Sequence, residues 1–487
     1  PVVAFGGAML IAIAVGRAIT LIGVTRLRVE GFEMIWTGPA RVHRAARGAP
    51  LILGCEIVNR SLQSVRMDGI HAIASSMLIT SVRPAHADLA PGTRARLEVT
   101  VRGERIGRWG VHGLAMQVST TPLQTSSPYE VPLRFASPLG VEVLPRALTA
   151  FALSPRGARA TRASKMERRG RGSGHSHEIR ELRDHVPGDP LKRVAWKASA
   201  RRGRLLVREM ERDEGDIVWL VVDVSVELWA GRPGTAPLDR VGDEVASFAV
   251  HLLRRGERVG LVTTASRTLS RLAPQCGMAH GSHIADALVG TSSAMDADRS
   301  SLAETDVARL VAEHARPLQS SSDAPMPRGD LDELAGRTKK LRRQAPFDGQ
   351  EPFAPTPRER SLRSYLASFG IESPPRESGE RERAESTLAQ TLEHLARQKP
   401  RPSVVHVWAP APSRPLVLAK GLGALRKKHV VVRWNLPPYD WTPGPADDQD
   451  SVSAAVAAEV ARMRASAARL KGERALRRLG VRIGAPR

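Results

Sequence analysis

Residues 217–222 read IVWLVV, six consecutive apolar positions that stop at Asp223. A strand with one wet face alternates apolar and polar residues. A run this continuous is buried on both faces, as strands are in parallel sheets. The flanking sequence supports that reading. Val241, Val245, Phe248 and Leu252 recur at helical spacing within 238–255, and Gly256 is placed to cap the end. Residues 259–263, 403–408 and 429–434 predict further strands, the last two flanking a helix around 415–427. Such alternation predicts a doubly wound, Rossmann-type parallel sheet over 214–295 and 383–487. Ligands of these sheets sit at the carboxyl ends of strands, which puts Asp223 and Ser225 at the functional edge.

A different period governs residues 26–148. Leu51, Leu53, Cys55 and Ile57 alternate with other residues, and Leu97, Val99 and Val101 repeat the pattern after Pro91-Gly92. Period-two runs separated by turn residues predict short antiparallel strands, hence a small immunoglobulin-like β-sandwich. No cluster of nucleophile, base and acid falls there, so packing or docking is its expected role.

Residues 2–25 carry a single charge, Arg17, in a long apolar stretch. At ~1.5 Å per residue a helix of that length spans roughly 36 Å, so a transmembrane helix is expected at 1–25. Arg26, Arg28, Arg41, Arg44 and Arg47 follow it, and the positive-inside rule then places the remaining domains in the cytoplasm. Cys55 and Cys276 form no CxxC pair, which excludes a disulfide framework and a zinc ribbon and agrees with a reducing compartment. Lys and Arg total 73 against 50 acids, a net charge of +23 that favours anionic partners: acidic proteins, lipid headgroups or nucleic acid. Aromatics are only 4%, too few for the stacking platforms of single-strand binders, so no specific nucleic acid is expected. Residues 149–176 read as a basic linker. Between 154 and 212 there are 17 basic and 7 acidic residues, which concentrates much of the excess there and would draw it to anionic lipid.

Residues 177–211, HEIRELRDHVPGDPLKRVAWKASARRGRLLVREME, carry the most informative order of residues in the chain. Within 177–213 the stretch strongly resembles the signature of the bacterial domain of unknown function 58 family. The matching residues are Glu178, Leu182, Arg183, Pro187, Gly188, Asp189, Trp196, Lys197, Ala200, Arg201, Gly203, Leu205, Val207, Glu209 and Glu211. His185 and Pro190 depart from the family pattern. The resemblance implies a membrane span, a β-sandwich, the signature and then a von Willebrand A-like domain, located at the bacterial inner membrane. It implies partnership with a MoxR-type AAA+ ATPase and its client proteins in assembly or maturation, with membrane lipid met by the N-terminal helix. Such an adaptor is not an enzyme; the alternative is a basic protein that binds nucleic acid or anionic lipid.

Von Willebrand A domains hold Mg²⁺ at the strand edge with an Asp-x-Ser-x-Ser turn, a distant threonine and a later aspartate, a set of hard oxygens. Here the resemblance offers Asp223 and Ser225, with Glu227 at the second serine and Ser282 in the threonine region. Ala409-Pro410-Ala411-Pro412 follows the fourth strand without an acid, so the expected metal site is degenerate. His175, His177 and His185 lie in a flexible, basic neighbourhood that argues against ligation. No G-x-S-x-G, H-E-x-x-H or kinase set occurs. Residues 296–382, with proline-rich spacers, are expected to form a largely exposed, partly disordered insertion. A helical stripe of Val452, Val456, Val460, Met463, Ala467 and Leu470 predicts an amphipathic helix packed on the sheet, and 481–483 an edge strand.

Overall fold

The computed structural model describes residues 2–26, 31–120, 129–149, 179–185, 194–210, 216–229, 231, 233–315, 330–376, 379–437 and 451–484. Helix α1 (Val2–Arg26) opens the chain. The transmembrane helix expected at 1–25 is corrected here: among the described residues no helix is long and apolar enough to cross a membrane. Gly6, Gly7, Gly16 and Gly23 add no apolar side chain to the stretch, and Arg17 and Thr20 interrupt it. The fold is mixed α/β, built on several sheets.

Nine strands follow: β1 (Phe32–Trp36), β2 (Val42–Ala46), β3 (Pro50–Asn59), β4 (Val65–Ala74), β5 (Leu78–Arg83), β6 (Ala87–Leu89), β7 (Arg94–Gly103), β8 (Gly107–Thr120) and β9 (Tyr129–Leu144). They pair as two sheets, β1-β3-β7-β5 and β2-β9-β8-β4-β6. The period-two residues point inward as the alternation requires: Leu53, Cys55, Ile57, Leu97, Val99 and Val101 share one core with Trp109, Val111 and Leu114 of the second sheet. Burial pushes the Cys55 thiol up to about 12, with Glu56 adding to the effect.

A hairpin of β10 (Ile179–Asp184) and β11 (Leu206–Met210) encloses the short helix α2 (Trp196–Arg202). Next come β12 (Ile217–Asp223), helix α3 (Pro237–Arg254), β13 (Arg258–Thr264), β14 (Thr268–Gln275) and helix α4 (Met278–Val289). Among the described residues of the insertion lie the α-helices α5 (Glu304–Ala315), α6 (Leu331–Leu341) and α7 (Pro357–Ser368). The chain ends with α8 (Arg381–Arg397), β15 (Val404–Trp408), α9 (Pro415–Lys427), β16 (Val431–Asn435), α10 (Ser451–Arg478) and β17 (Arg482–Ile483). The sheet order is β14-β13-β12-β15-β16-β17, and every pairing except β13–β14 is parallel. Strand β12 is buried throughout. Its Val218, Leu220 and Val222 pack with α3 and α4, whereas Trp219 and Val221 pack with α8 and α9. That two-sided burial is what the unbroken apolar run requires.

Two expectations differ from what is found. Rather than lying largely exposed, the described part of the insertion has its own core of Val307, Val311, Leu334, Leu362, Tyr365, Leu366 and Phe369. It also docks on the sandwich. The Ser75 hydroxyl donates to the Gly370 carbonyl at 2.7 Å, and a Cβ on Gly370 would stand 2.7 Å from the Gly110 nitrogen. Apolar residues spaced for one face were there, but the spacers between them masked the pattern. The stripe on α10 is the second difference: Val456, Val460, Met463 and Leu470 are exposed, and among the side chains described only Leu476, near the end, joins the core; the Val452 side chain lies outside them. A helix of 28 residues is roughly 42 Å long against roughly 17 Å for the five-residue β16 that it follows, so more than half of its length exceeds that strand.

Candidate functional site

The end of β12 delivers Asp223 to the carboxyl edge of the sheet, at the point where the order turns from β13 on one side to β15 on the other. Asp223 is 2% exposed, and its Oδ1 accepts the Ser225 backbone N–H at 2.9 Å. Ser225 is fully buried, and Glu227 follows in a short 3₁₀ turn (Val226–Trp229). Sequence reasoning therefore placed three of its four candidate metal residues together.

Ser282 is elsewhere. Two residues before it, the His280 Nε2 lies 2.6 Å from the carbonyl oxygen of Val259, next to the first residue of β13. Asp223 pairs with Thr264, the last residue of β13. Five residues of strand separate the two ends, roughly 17 Å. Helix α4 reaches the functional edge only after its C-terminus, where the Thr291 carbonyl meets Arg299.

What meets Asp223 instead is a guanidinium. Arg381, the first residue of α8, holds Nη1 at 3.7 Å from Asp223 Oδ2 and 3.8 Å from Glu227 Oε2. Its Nε donates to Glu385 Oε1 at 3.1 Å and its Nη2 to the Ala411 carbonyl at 2.8 Å. Glu385 in turn accepts from the Ser413 N–H at 2.6 Å and the Arg414 N–H at 3.0 Å, fastening the loop after β15. Beside it, Glu380 accepts the Val226 N–H at 2.7 Å and lies 3.6 Å from the fully buried Arg299, whose Nη2 donates to the Val224 carbonyl at 2.7 Å. Burial raises the carboxyl pKa of Asp223, Glu227 and Glu380. Arg381 pulls Asp223 and Glu227 back toward ionisation.

The oxygens offered for Mg²⁺ do not fit that ion. Ser282 is a strand's length away, the loop after β15 contributes a carbonyl to Arg381, and the space between the carboxylates holds a cation already. Among the described residues no group of three or more His, Cys, Asp or Glu is arranged to hold a metal. Arg381, Glu385, Glu380 and Arg299 were missed because they sit in or beside the segment read as exposed. The Arg381/Glu385 spacing of four on a helix was the available signal.

The signature forms a second candidate surface. Among the described residues Val194, Ala195, Ser199, Leu206 and Val207 are buried, and the Ser199 hydroxyl donates to the Ala195 carbonyl at 3.0 Å. Gly203 ends α2 at φ +67°, the left-handed conformation that glycine adopts without cost to a side chain. Outward from this small module point Trp196, 61% exposed, and Leu205, 45% exposed. Lys197, Ala200, Arg201, Arg202 and Arg204 are also exposed. Arg183 lies on β10, opposite Val207. Glu178, Pro187, Gly188, Asp189, His175 and His177 lie outside the described residues.

Residues 181–335 match the model of DUF58, a protein of unknown function. The chain resembles that family. Uncharacterized proteins of Mycobacterium bovis and of Mycobacterium tuberculosis are each 29% identical to it over 107 residues, 22% of this chain. The match spans 34% of the length of those relatives. Among solved structures, the PapD-like domain 7 of human CEP192 is 10% identical and covers 24% of this chain and 87% of its own, with a TM-score of 0.18. WR4, an MSP family member of C. elegans, is 7% identical over 23% of this chain and 98% of its own, with a TM-score of 0.16. At such scores the structural likenesses support no conclusion about DUF58 or this chain.

Proposed function

We propose that the chain is a non-enzymatic adaptor that grips acidic protein surfaces, foremost a MoxR-type AAA+ ATPase, and acts with it on client proteins in assembly or maturation. The observation that carries this reading is the exposed Trp196. Burying an indole is worth about 2–3 kcal/mol, and the chain forgoes most of it on a short helix that also exposes Lys197, Arg201 and Arg202. Tryptophan and arginine are the residues that most often dominate protein–protein binding energy. Those exposed cations suit a partner rich in Asp and Glu, and would speed encounter by electrostatic steering. The doubly wound sheet supports a von Willebrand A-like binding domain.

Affinity capture with the intact chain, read by mass spectrometry, tests the proposal. Wild type should recover a MoxR-type ATPase, and Trp196→Ala should lose it with its fold intact. Recovery of nucleic acid in its place, sensitive to nuclease and falling steeply with salt, would favour the alternative reading.

A further inference from the structure

We propose that Arg381 is a built-in cation that does at this sheet edge what a divalent ion does in a metal-dependent one, so that the edge is assembled without metal. The inference concerns the carboxyl edge and is independent of the signature surface. Its first support is connectivity. One guanidinium joins three separate segments: the turn after β12 through Asp223 and Glu227, the loop after β15 through the Ala411 carbonyl, and α8 through Glu385. A metal drawing ligands from the strand ends would make the same three-way junction.

The second support is placement against the local field. Arg381 occupies the first turn of a 17-residue helix, where the macrodipole disfavours a positive charge. Surrounding carboxylates reverse that preference: Asp223, Glu227 and Glu385 all lie within 3.8 Å of its nitrogens. Its Nη1 is buried and has no hydrogen-bond partner in the structure. At 3.7 and 3.8 Å from two carboxylates it acts there as a charge and not as a bonded donor. Asp223 and Glu385 have almost no exposed side-chain surface, so their charges have little water to turn to.

Thermal unfolding of the full chain, with about 10 mM MgCl₂ or MnCl₂ against excess chelator, distinguishes the two arrangements. Wild type should melt at the same temperature in both, within about 1 °C. Arg381→Ala should melt lower, and the divalent ion should restore roughly 2–4 °C by entering between the three carboxylates. Arg381→Gln, which keeps the length without the charge, should behave as the alanine variant does. A wild type stabilised by Mg²⁺ and destabilised by chelator would overturn the proposal, and so would variants no more responsive to cations than wild type. Should neither variant fold, the wild-type comparison still decides.

Discussion

Trp196 leaves most of its surface open, whereas a residue with so much apolar surface usually covers it. Its neighbours on α2 hold the helix without it: Ser199 is buried and bonded, and Gly203 closes the turn. Trp196→Ala should therefore change stability by less than about 0.5 kcal/mol, as exposed substitutions do, while removing partner binding. Urea unfolding beside a binding assay would show the two effects separating. His406 is the opposite case. Burial, with Arg433 second, lowers its imidazole from 6.5 to about 4, and the ring packs between Phe248 and Trp408. Its folded pKa is depressed, so the neutral ring's contribution is complete above pH 6.5 and fades as pH falls toward 4. Between those values the unfolded chain binds the extra proton. Acid should thus cost wild type up to about 3 kcal/mol more than His406→Phe, measured as the difference in denaturant midpoints across that window.

Among the elements, the glycines that let the insertion touch the sandwich make a sharp test. A Cβ on Gly370, at φ +67°, would meet the Gly110 nitrogen at 2.7 Å and the Trp109 carbonyl carbon at 2.8 Å, both backbone atoms that cannot swing aside. Gly370→Ala should destabilise the chain by about 2–3 kcal/mol and speed proteolysis between α7 and α8, since strain and overpacking add. That contact was not legible in the sequence, because a glycine pair 260 residues apart carries no local period. What was legible was local pattern. The unbroken run ending at Asp223 predicts β12, and Leu53, Cys55 and Ile57 predict the inner face of β3. Period alone misplaced α10, whose stripe follows helical spacing but outruns the sheet that would cover it. The candidate site was half visible for a related reason. Asp223, Ser225 and Glu227 lie within five residues of one strand end, whereas Arg381 and Glu385 arrive from a helix more than 150 residues later.

Across the whole molecule, sandwich and doubly wound sheet are joined by buried charge. The Arg105 Nε donates to Asp239 Oδ1 at 3.2 Å with the two side chains 4% and 1% exposed, and the Trp109 indole N–H donates to the Arg105 carbonyl at 2.8 Å. Arg47 adds a second link, to Asp243 on α3. Arg105→Ala would leave the Asp239 carboxylate buried without its partner and should cost about 3–5 kcal/mol in chemical unfolding. Arg105→Met with Asp239→Leu should recover most of that loss, as apolar replacements of buried ion pairs do. A joined body of this kind suits an adaptor, because a load taken at one domain is carried to the other. The most direct measurement is the binding of a purified MoxR-type AAA+ ATPase to the immobilised full chain, for wild type and Trp196→Ala, with and without nucleotide. The account predicts saturable binding by wild type that weakens by at least about tenfold in the variant and falls with added salt. Equal binding by both proteins, or none by either, would contradict it.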